Sequence, residues 1–326
     1  MKKAIALIVS IMLLVSCTAA GAGFLEEKQL NIVVTIFPIY DWVREVVGAD
    51  MNHVNLTLLL DNGVDLHSYQ PTAQDIMSIS TADLFIYVGG ESDEWVEDVL
   101  ASAMNPDLAA VSLVNAMGED IKAEEIVEGM EHEHEHDEEE GHEHEEGEEA
   151  DEHVWLSLRC AQKLIAVIAD AFEGIDPDHA AHYRENAASY IAKLADLDAR
   201  YAETVNAAAY RTLLFGDRFP FRYLADDYGL DYFAAFAGCS AESEASFATV
   251  VFLAQKADEL CLPAVLTLEH PTTRIAQTVV ENTVAKNQKI LALDSMQGTT
   301  AADIAAGMTY LSVMESNLGV LAEALN

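Results

Sequence analysis

The segment DPDHAAHYRENAASYIAKLADLDARYAETVNAA, residues 176–208, predicts one long helix around which the rest of the chain is arranged. Asp176 and Pro177 are typical of a helix start, with aspartate as the cap and proline in the first turn. No helix breaker follows between Asp178 and about Ala208. Apolar and aromatic residues recur on one face at spacings of three and four, at Tyr183, Ala187, Tyr190, Leu194, Leu197 and Tyr201. At about 1.5 Å per residue the helix would span roughly 45 Å, which is long enough to join two lobes.

Strand-like and helical segments alternate on both sides of this helix, which predicts an α/β fold with a mainly parallel sheet in each half. The strand-like runs begin at Asn31, Val54, Leu84 and Ala110 in the first half and at Thr212, Asp231, Ala264 and Lys289 in the second. We therefore expect an N-terminal lobe over residues 30–175, a linking helix over 176–208 and a C-terminal lobe over 209–326. Small ligands bind at the carboxyl ends of parallel strands, so a site in the cleft between the lobes is expected.

The N-terminus is typical of an exported, lipid-anchored protein. Two lysines precede an apolar run over residues 4–15 that is too short to span a bilayer and fits a secretion signal. The sequence LVSC at 14–17 resembles a bacterial lipobox, in which cleavage before the cysteine is coupled to its lipidation. We expect a signal peptide over 1–16, a tether over 17–29, and a chain anchored through Cys17 outside the cytoplasmic membrane. An ordinary signal peptide with a chance cysteine is the alternative.

A tract of alternating histidine and acidic residues, EHEHEHDEEEGHEH at 131–144, indicates contact with metal ions. Five of the eleven histidines lie in it, and such a segment is too polar to fold alone, so a mobile acidic loop is expected over 119–152. Imidazole and carboxylate groups at high density suit a borderline divalent cation, zinc above all. The accessory metal contacts would be His132, His134, His136, His142 and His144. A solvated acidic linker with incidental histidines is the alternative.

Charge and cysteine content limit the partners and the site chemistry. The net charge of −39 disfavours nucleic acid and anionic lipid headgroups as partners and favours cations. An apolar content of 51% supports globular folding. We expect the chain to be a monomer. Beyond Cys17, the three remaining cysteines form no CxxC metal motif. We interpret Cys160, Cys239 and Cys261 as small buried residues, with a bridge between the last two left open.

Two histidines outside the acidic tract are candidates for a specific metal site. His67 lies in GVDLHSYQPT, just after a predicted strand, and His153 lies in DEHVWLS, where the tract meets an apolar helical segment. Either histidine alone would more often be a hydrogen-bonded polar residue than a ligand. Glu269 and His270 end a predicted strand of the second lobe, so they would lie on the same rim of the cleft.

The sequences around these two histidines resemble the ligand motifs of the metal-specific substrate-binding lipoproteins that serve ABC importers of zinc or manganese. The first family motif, G-x-x-x-H-x-Y followed by P or T and D, is matched from Gly63 and ends loosely at Asp75. The second, D-x-H-x-W-L-S, is matched by Asp151, His153, Trp155, Leu156 and Ser157. The resemblance runs from about Leu30 to the end and includes the histidine-rich loop and the linking helix. It implies a metal held between two lobes, with His67 and His153 as the ligands from the first.

The resemblance implies two further ligands from the second lobe, and the chain departs from the family there. Where histidine or glutamate is usual, this chain has Arg218, which does not bind a cation. The adjacent Asp217 and the more distant His270 are candidate substitutes, although Asp217 and Arg218 would equally form a surface turn or an ion pair. Asp294 fits the last family ligand, against the alternative that it caps the following turn. Glu269 is a further candidate.

These features together predict capture of a divalent transition metal outside the cytoplasm, without catalysis. The resemblance implies delivery to a membrane permease that is powered by a cytoplasmic ATPase. Imidazole and carboxylate ligands suit zinc or manganese, with iron a further option within the family, and the histidine tract favours zinc. Two other classes stay open: a surface adhesin or zinc reservoir in which the tract itself is the function, and a metal-dependent hydrolase with Glu152 as its base.

Overall fold

The computed structural model describes the chain as two α/β lobes, over residues 29–48, 51–130, 149–240, 244–269 and 273–326. Cys17, the five tract histidines and His270 lie outside the described residues. Within the described ranges, every helix is too short or too polar to cross a lipid bilayer.

The N-terminal lobe contains a four-stranded parallel sheet in the order β2-β1-β3-β4. Its strands are β1 (Leu30–Val34), β2 (Val54–Leu58), β3 (Leu84–Tyr87) and β4 (Ala109–Ser112). Its helices are α1 (Phe37–Val47), α2 (Ala73–Ser80), α3 (Trp95–Ala101), α4 (Leu113–Met117) and α5 (Leu158–Ile175). Gly48 ends α1 with φ of 78°, a left-handed conformation that glycine adopts without strain. The predicted alternation of strands and helices is confirmed for this lobe.

The linking helix α6 extends over Ala180–Ala207, after a short 3-10 turn at Pro177–His179. Its 28 residues span about 42 Å. The predicted apolar face is buried at every position, and the buried set is Tyr183, Ala187, Tyr190, Leu194, Leu197, Tyr201 and Val205. This face packs on α1 and α5 of the first lobe and on the C-terminal helix of the second. The long helix is therefore shared by the cores of both lobes.

The C-terminal lobe repeats the architecture of the first, with a parallel sheet in the order β6-β5-β7-β8. Its strands are β5 (Thr212–Phe219), β6 (Asp231–Ala237), β7 (Ala264–Thr267) and β8 (Lys289–Ala292). Its helices are α7 (Arg222–Tyr228), α8 (Phe247–Glu259), α9 (Arg274–Asn282), α10 (Ala301–Ala305) and α11 (Tyr310–Ala324). Asp217 and Arg218 lie inside β5 instead of on a loop after it, because pairing with β6 continues to Phe219 beyond a register shift.

Tyr310 at the start of α11 links the two lobes by hydrogen bonds. Its backbone N–H donates to Asp41 Oδ2 over 2.8 Å, and its hydroxyl donates to the Trp155 carbonyl over 2.7 Å. Trp155 Nε1 in turn donates to the Ser295 carbonyl over 3.0 Å, and the ring of Trp42 meets the Tyr310 ring edge-on at 5.1 Å. One apolar core includes residues of both lobes. A wide hinge opening would expose this core, which favours small loop movements instead.

The acidic segment that we expected to be one mobile loop is ordered at both ends. Ala123 and Ala150 form an antiparallel bridge, and the Asp151 N–H donates to the Lys122 carbonyl over 2.8 Å. Residues 151–153 are then fully buried. The sequence could not show this pairing, because it joins two residues on either side of a tract with no apolar pattern.

The cysteines differ from the interpretation given to them. Cys160, Cys239 and Cys261 are all free thiols, so the bridge between Cys239 and Cys261 does not form. Cys261 is exposed, and Cys239 is only partly buried. The interpretation as small buried residues is correct for Cys160 alone.

We expect Asp41→Asn to reduce the loss of stability that accompanies a rise in pH from 4 to 8. Burial raises the pKa of Asp41 from 3.8 to about 6, against the lowering effects of the Tyr310 N–H and Arg44. The stability linked to this raised pKa is complete below pH 3.8 and is lost as the pH rises through 6, by about 3 kcal/mol for two pKa units. Between pH 4 and pH 8, urea unfolding should therefore show the variant gaining 2–3 kcal/mol (order of magnitude) relative to the wild type.

The exposed Asp107 provides the matched control for this titration. Asp107→Asn should follow the wild type at both pH values. Equal pH dependence of the wild type and Asp41→Asn would contradict the expected contribution of Asp41.

Candidate metal site

His67 is held in the cleft by contacts from three segments of the first lobe. Asp65 Oδ1 accepts the His67 N–H over 3.0 Å and caps the 3-10 helix Leu66–Ser68. The ring Nδ1 lies 2.8 Å from Ser92 Oγ, and the Ser92 N–H donates to Glu152 Oε1 over 2.8 Å. The side chain is 9% exposed. These contacts fix the Nδ1 side of the ring and point Nε2 into the cleft.

His153 is anchored in the same way by the residue two before it. Asp151 Oδ1 accepts both the His153 N–H, over 2.9 Å, and the ring Nδ1, over 3.0 Å. A carboxylate only accepts, so Nδ1 carries the hydrogen and Nε2 keeps its lone pair. The ring itself is fully buried. A carboxylate behind a histidine is the arrangement that orients histidine ligands in metal sites.

The two rings present their Nε2 atoms to each other at 3.1 Å. A tetrahedral zinc ion with Zn–N bonds of about 2.0–2.1 Å holds two imidazole nitrogens about 3.3–3.4 Å apart, close to this separation. One proton between the two Nε2 atoms also satisfies the pair. Because the Ser92 hydroxyl both donates and accepts, it suits either state of His67. The pair can therefore exchange a proton for a cation with little movement.

The His67 ring is uncharged at neutral pH. Burial, and then the neighbouring His153, lower the pKa of His67 to about 3, in spite of the opposing charge of Asp65. A neutral imidazole is the form that binds metals.

Cys239 comes to the histidine pair from the second lobe. Its Sγ and one ring nitrogen each from His67 and His153 all lie within 4.8 Å of one another. Burial, and then the charge of Glu124, raise the pKa of this thiol far above its usual range, so the thiol is protonated unless a cation lies beside it. Sequence reasoning missed Cys239 because it has no CxxC partner. Its place directly after a predicted strand of the second lobe, on the cleft rim, is the signal that was available.

Gly238 allows the backbone to pass close to His153. A Cβ atom at this position would lie 3.0 Å from His153 Cε1 and 3.0 Å from the Phe219 carbonyl oxygen. The loop that carries Gly238 and Cys239 is also held by the acidic segment, because the Cys239 N–H donates to Glu124 Oε1 over 3.0 Å.

Arg218 forms an ion pair across the cleft at the position where the family resemblance places a ligand. Its Nη2 donates to Asp65 Oδ2 over 2.5 Å, and its Nη1 donates to the Ser240 carbonyl over 3.3 Å. Burial alone would raise the pKa of Asp65, but the charge and hydrogen bond of Arg218 hold it below its usual range. The guanidinium thus joins the loop before His67 to the loop that carries Cys239.

Asp217, the predicted substitute ligand, is engaged inside the second lobe. Its Oδ1 accepts the Arg218 N–H over 2.9 Å, and its Oδ2 accepts the Leu268 N–H over 3.1 Å. The carboxylate therefore fastens β5 to the end of β7. The structure does not place it in the group formed by the two histidines and Cys239. The alternative of an ion pair within Asp217–Arg218 is not seen either, because the guanidinium pairs with Asp65.

Glu269 and Asp294, the other predicted ligands in the described residues, hold the loop after β8 in shape. The Glu269 carboxylate accepts backbone N–H groups at 2.8, 3.1 and 3.2 Å, from Ser295, Gln297 and Gly298. Asp294 Oδ1 accepts the Met296 N–H over 2.8 Å, which is the turn-capping role weighed against a ligand role. Neither belongs to the groups of potential ligand atoms found in the described parts of the chain.

A second histidine cluster lies at the start of the linking helix. His179 Nδ1 and His53 Nε2 lie 2.8 and 3.4 Å from Asp176 Oδ2, and the two rings stack at 4.6 Å. The Tyr183 hydroxyl donates to the same carboxylate oxygen over 2.5 Å. These hydrogen bonds connect the segment before β2 to the linking helix, which gives the cluster a structural role.

Comparisons with known proteins show which family this chain is similar to. Residues 32–324 match the family described as zinc-uptake complex component A, periplasmic. The chain is 33% identical over 323 residues to the zinc-binding lipoprotein AdcA of Streptococcus pneumoniae strain R6, covering 98% of this chain and 60% of that protein. It is also 33% identical over 305 residues to the high-affinity zinc uptake system protein ZnuA of Bacillus subtilis 168, covering 94% and 90%. The chain thus spans about 60% of the length of AdcA.

Solved structures share the two-lobed fold. The Zn(II)-bound ZnuA-like domain of Streptococcus pneumoniae AdcA matches at 29% identity with a TM-score of 0.71, over 91% of this chain and 99% of that domain. The metal-dependent lipoprotein YcdH of Bacillus subtilis matches at 28% identity with a TM-score of 0.73, over 91% and 99%. The laminin-binding adhesin Lmb of Streptococcus agalactiae matches at 20% identity with a TM-score of 0.73, over 91% and 100%, and shows likeness of fold alone. The predicted fold is confirmed.

We expect Gly238→Ala to destabilise the cleft side of the second lobe. The added methyl group would press on the Phe219 carbonyl and the His153 ring, and such overpacking costs about 1–3 kcal/mol. The matched control is Gly174→Ala near the end of α5, where a Cβ meets nothing within 4 Å. That change should stabilise the helix by about 0.5–1 kcal/mol. Urea unfolding measures both changes, and equal effects of the two substitutions would contradict the close packing at Gly238.

Proposed function

Because the chain belongs to the zinc-uptake complex component A family, we propose that it captures zinc between its two lobes and delivers it to an ABC importer. The resemblance drawn from its histidine motifs is confirmed at the level of the family. The observation that carries the proposal is the 3.1 Å approach of His67 Nε2 and His153 Nε2, each with its Nδ1 held from behind. Preorganised imidazoles of this kind bind a metal without first ordering their side chains.

Donor chemistry and the relatives support zinc as the cargo. Two neutral imidazoles suit zinc better than manganese, which prefers carboxylate and water oxygens, and iron is a further alternative. Relatives at 33% identity are named a zinc-binding lipoprotein and a zinc uptake protein, and a solved neighbour is Zn(II)-bound. Manganese remains the alternative cargo within the same family.

The acidic tract is proposed to concentrate cations beside the cleft. The residues described on either side of the tract contact the site, since Glu124 holds the Cys239 backbone and Asp151 holds the His153 ring. A cation attracted by the tract therefore arrives next to the two imidazoles. The accessory contacts in this proposal are His132, His134, His136, His142 and His144.

The chain is proposed to act as a monomer outside the cytoplasm, held to the membrane by a lipid on Cys17. Relatives are named lipoproteins, and the LVSC sequence at 14–17 provides the matching cysteine. The loaded chain would then dock on a permease that is driven by a cytoplasmic ATPase. A shared core and a shared linking helix restrict the lobes, so loading and release would involve loop movements around the cleft.

Binding is favoured over catalysis by the position of Glu152, the candidate base of a hydrolase. Its Oε1 accepts the Ser92 N–H, and its Oε2 lies 3.8 Å from His67 Nδ1, on the side of the ring opposite Nε2. The carboxylate is buried behind the ligand instead of facing a water on the metal. We therefore infer that Glu152 orients His67. The adhesin alternative has support from likeness of fold alone.

We expect His67→Ala and His153→Ala each to weaken zinc binding by more than about 100-fold, since loss of a partner behind a ligand alone costs about 10–100-fold. The measurement is competition with a zinc chelator, using the full chain with its five tract histidines changed to serine. His179→Ala in the second cluster is the matched control and should bind as the parent does. Unchanged affinity in both cleft variants would rule out the cleft site.

Delivery is tested by zinc accumulation in the source cell. Deleting the chain should lower zinc uptake and growth at limiting zinc, and returning the wild type should restore both. Returning His67→Ala should fail, since a chain that cannot load has no cargo to deliver. Normal zinc uptake in the deletion strain would contradict a transport role.

A further inference from the structure

We propose that Cys239 is the metal ligand supplied by the second lobe, so that the cleft is a His67–His153–Cys239 site selective for zinc over manganese. This inference rests on the proposed function, because it names a further ligand of the same site. It names a thiolate where the sequence predicted the carboxylates of Asp217, Glu269 and Asp294 or the imidazole of His270.

The distances support coordination by sulfur. Tetrahedral zinc with a Zn–S bond of about 2.3 Å and Zn–N bonds of about 2.0–2.1 Å places sulfur about 3.6 Å from each nitrogen. In the structure Cys239 Sγ lies within 4.8 Å of one ring nitrogen of each histidine, which is about 1 Å more at most than the coordinated distance. The Nε2 atoms of His67 and His153 lie 3.1 Å apart, close to the distance of about 3.3–3.4 Å that is expected when both bind one zinc ion.

The loop that carries Cys239 is held in place for this role. Its N–H is fixed by Glu124, and Arg218 donates both to the neighbouring Ser240 carbonyl and to Asp65 in the His67 loop. Arg218 is therefore a positioning residue that fastens the thiol loop to the histidine loop. Arg218 lies near the end of β5, where the family resemblance implies a ligand, and Cys239 follows the neighbouring strand β6.

Other nearby donors already have partners. The carboxylates of Asp217, Glu269 and Asp294 each accept backbone N–H groups of the second lobe. Binding a metal through any of them would weaken those contacts. The remaining described cysteines do not compete either, because Cys160 is buried in the core and Cys261 is exposed, and neither belongs to a potential ligand group.

A thiolate ligand explains how zinc would be selected. Thiolate is a soft ligand that suits zinc and copper, whereas manganese prefers oxygen donors. Two neutral imidazoles and one thiolate leave a net charge of +1 on the bound zinc unit. Three protein ligands also leave one tetrahedral position for a water or an exchanging ligand, which allows release to the permease.

The test is the spectrum of the cobalt(II) complex together with zinc affinity. The full wild-type chain should show an intense near-ultraviolet sulfur-to-cobalt charge-transfer band. This band cannot come from the acidic tract, because the tract contains no cysteine. Cys239→Ser should lose the band and bind zinc more than about 100-fold more weakly, as expected for a lost ligand. The exposed Cys261→Ser is the matched control and should keep both properties, with thermal unfolding of the metal-free variants checking their folds.

A second variant tests the selectivity directly. Cys239→Asp supplies an oxygen donor at the same place, so it should lower the ratio of zinc affinity to manganese affinity at least 10-fold, in keeping with about 1.4 kcal/mol per factor of ten. An unchanged ratio would contradict the thiolate site.

The outcomes separate this inference from the proposed function. The thiolate ligand is wrong if the wild-type cobalt complex lacks the charge-transfer band and Cys239→Ser binds zinc as the wild type does. If His67→Ala still binds zinc weakly in that case, the cleft site stands. If His67→Ala and His153→Ala also bind zinc normally in the chain without tract histidines, the cleft itself is wrong, and the inference falls with it.

Discussion

The site depends on two hydrogen bonds that hold imidazole rings from behind. Ser92 lies against His67 Nδ1 and Asp151 against His153 Nδ1, and these anchors hold the two buried rings with their Nε2 atoms 3.1 Å apart. Two nitrogen lone pairs at that distance repel each other unless a proton or a metal ion lies between them. One proton or a metal ion between the two nitrogens relieves this repulsion, and the loop after β3 brings Ser92 to the cleft.

A charge pair between the two lobes lies beside the site. Arg218 and Asp65 are 12% and 17% exposed, so their attraction is little screened by water. Such a pair contributes little net stability, but removing one partner leaves an uncompensated charge at a cost of about 3–5 kcal/mol. Its main effect is geometric. It fixes the distance between the loop before His67 and the loop of Cys239, and so sets the size of the space between the donors.

Much of the fold could be predicted from the sequence because its signals are local. The buried face of the linking helix follows from spacings of three and four, and the T-x-x-D sequence at 72–75 matches the capping box that Thr72 and Asp75 form at the start of α2. His67 and His153 could be placed together because each lies in a recognisable motif. The predictions that failed depend on contacts between residues that are far apart in the sequence. The hydrogen bond from the Leu268 N–H to the Asp217 carboxylate depends on how β5 pairs with β7, and no local sequence pattern predicts it.

The place of Cys239 shows the same limit. Its approach to His153 requires β6 to lie beside β5 in the second sheet and the loop after β6 to reach the first lobe. From the sequence alone, an isolated cysteine after a strand is interpreted as a packing residue, because its approach to the first lobe is not visible there. The ordered ends of the acidic segment were hidden for a related reason, since their bridge brings together residues 123 and 150 across a tract without apolar residues.

Zinc K-edge absorption spectroscopy tests the metal site most directly. With one zinc bound to the full chain whose tract histidines are changed to serine, we expect two nitrogen neighbours at about 2.0–2.1 Å, with imidazole scattering, and one sulfur at about 2.3 Å. A shell made only of oxygen, or a chain that fails to retain zinc, would contradict a site built on His67, His153 and Cys239.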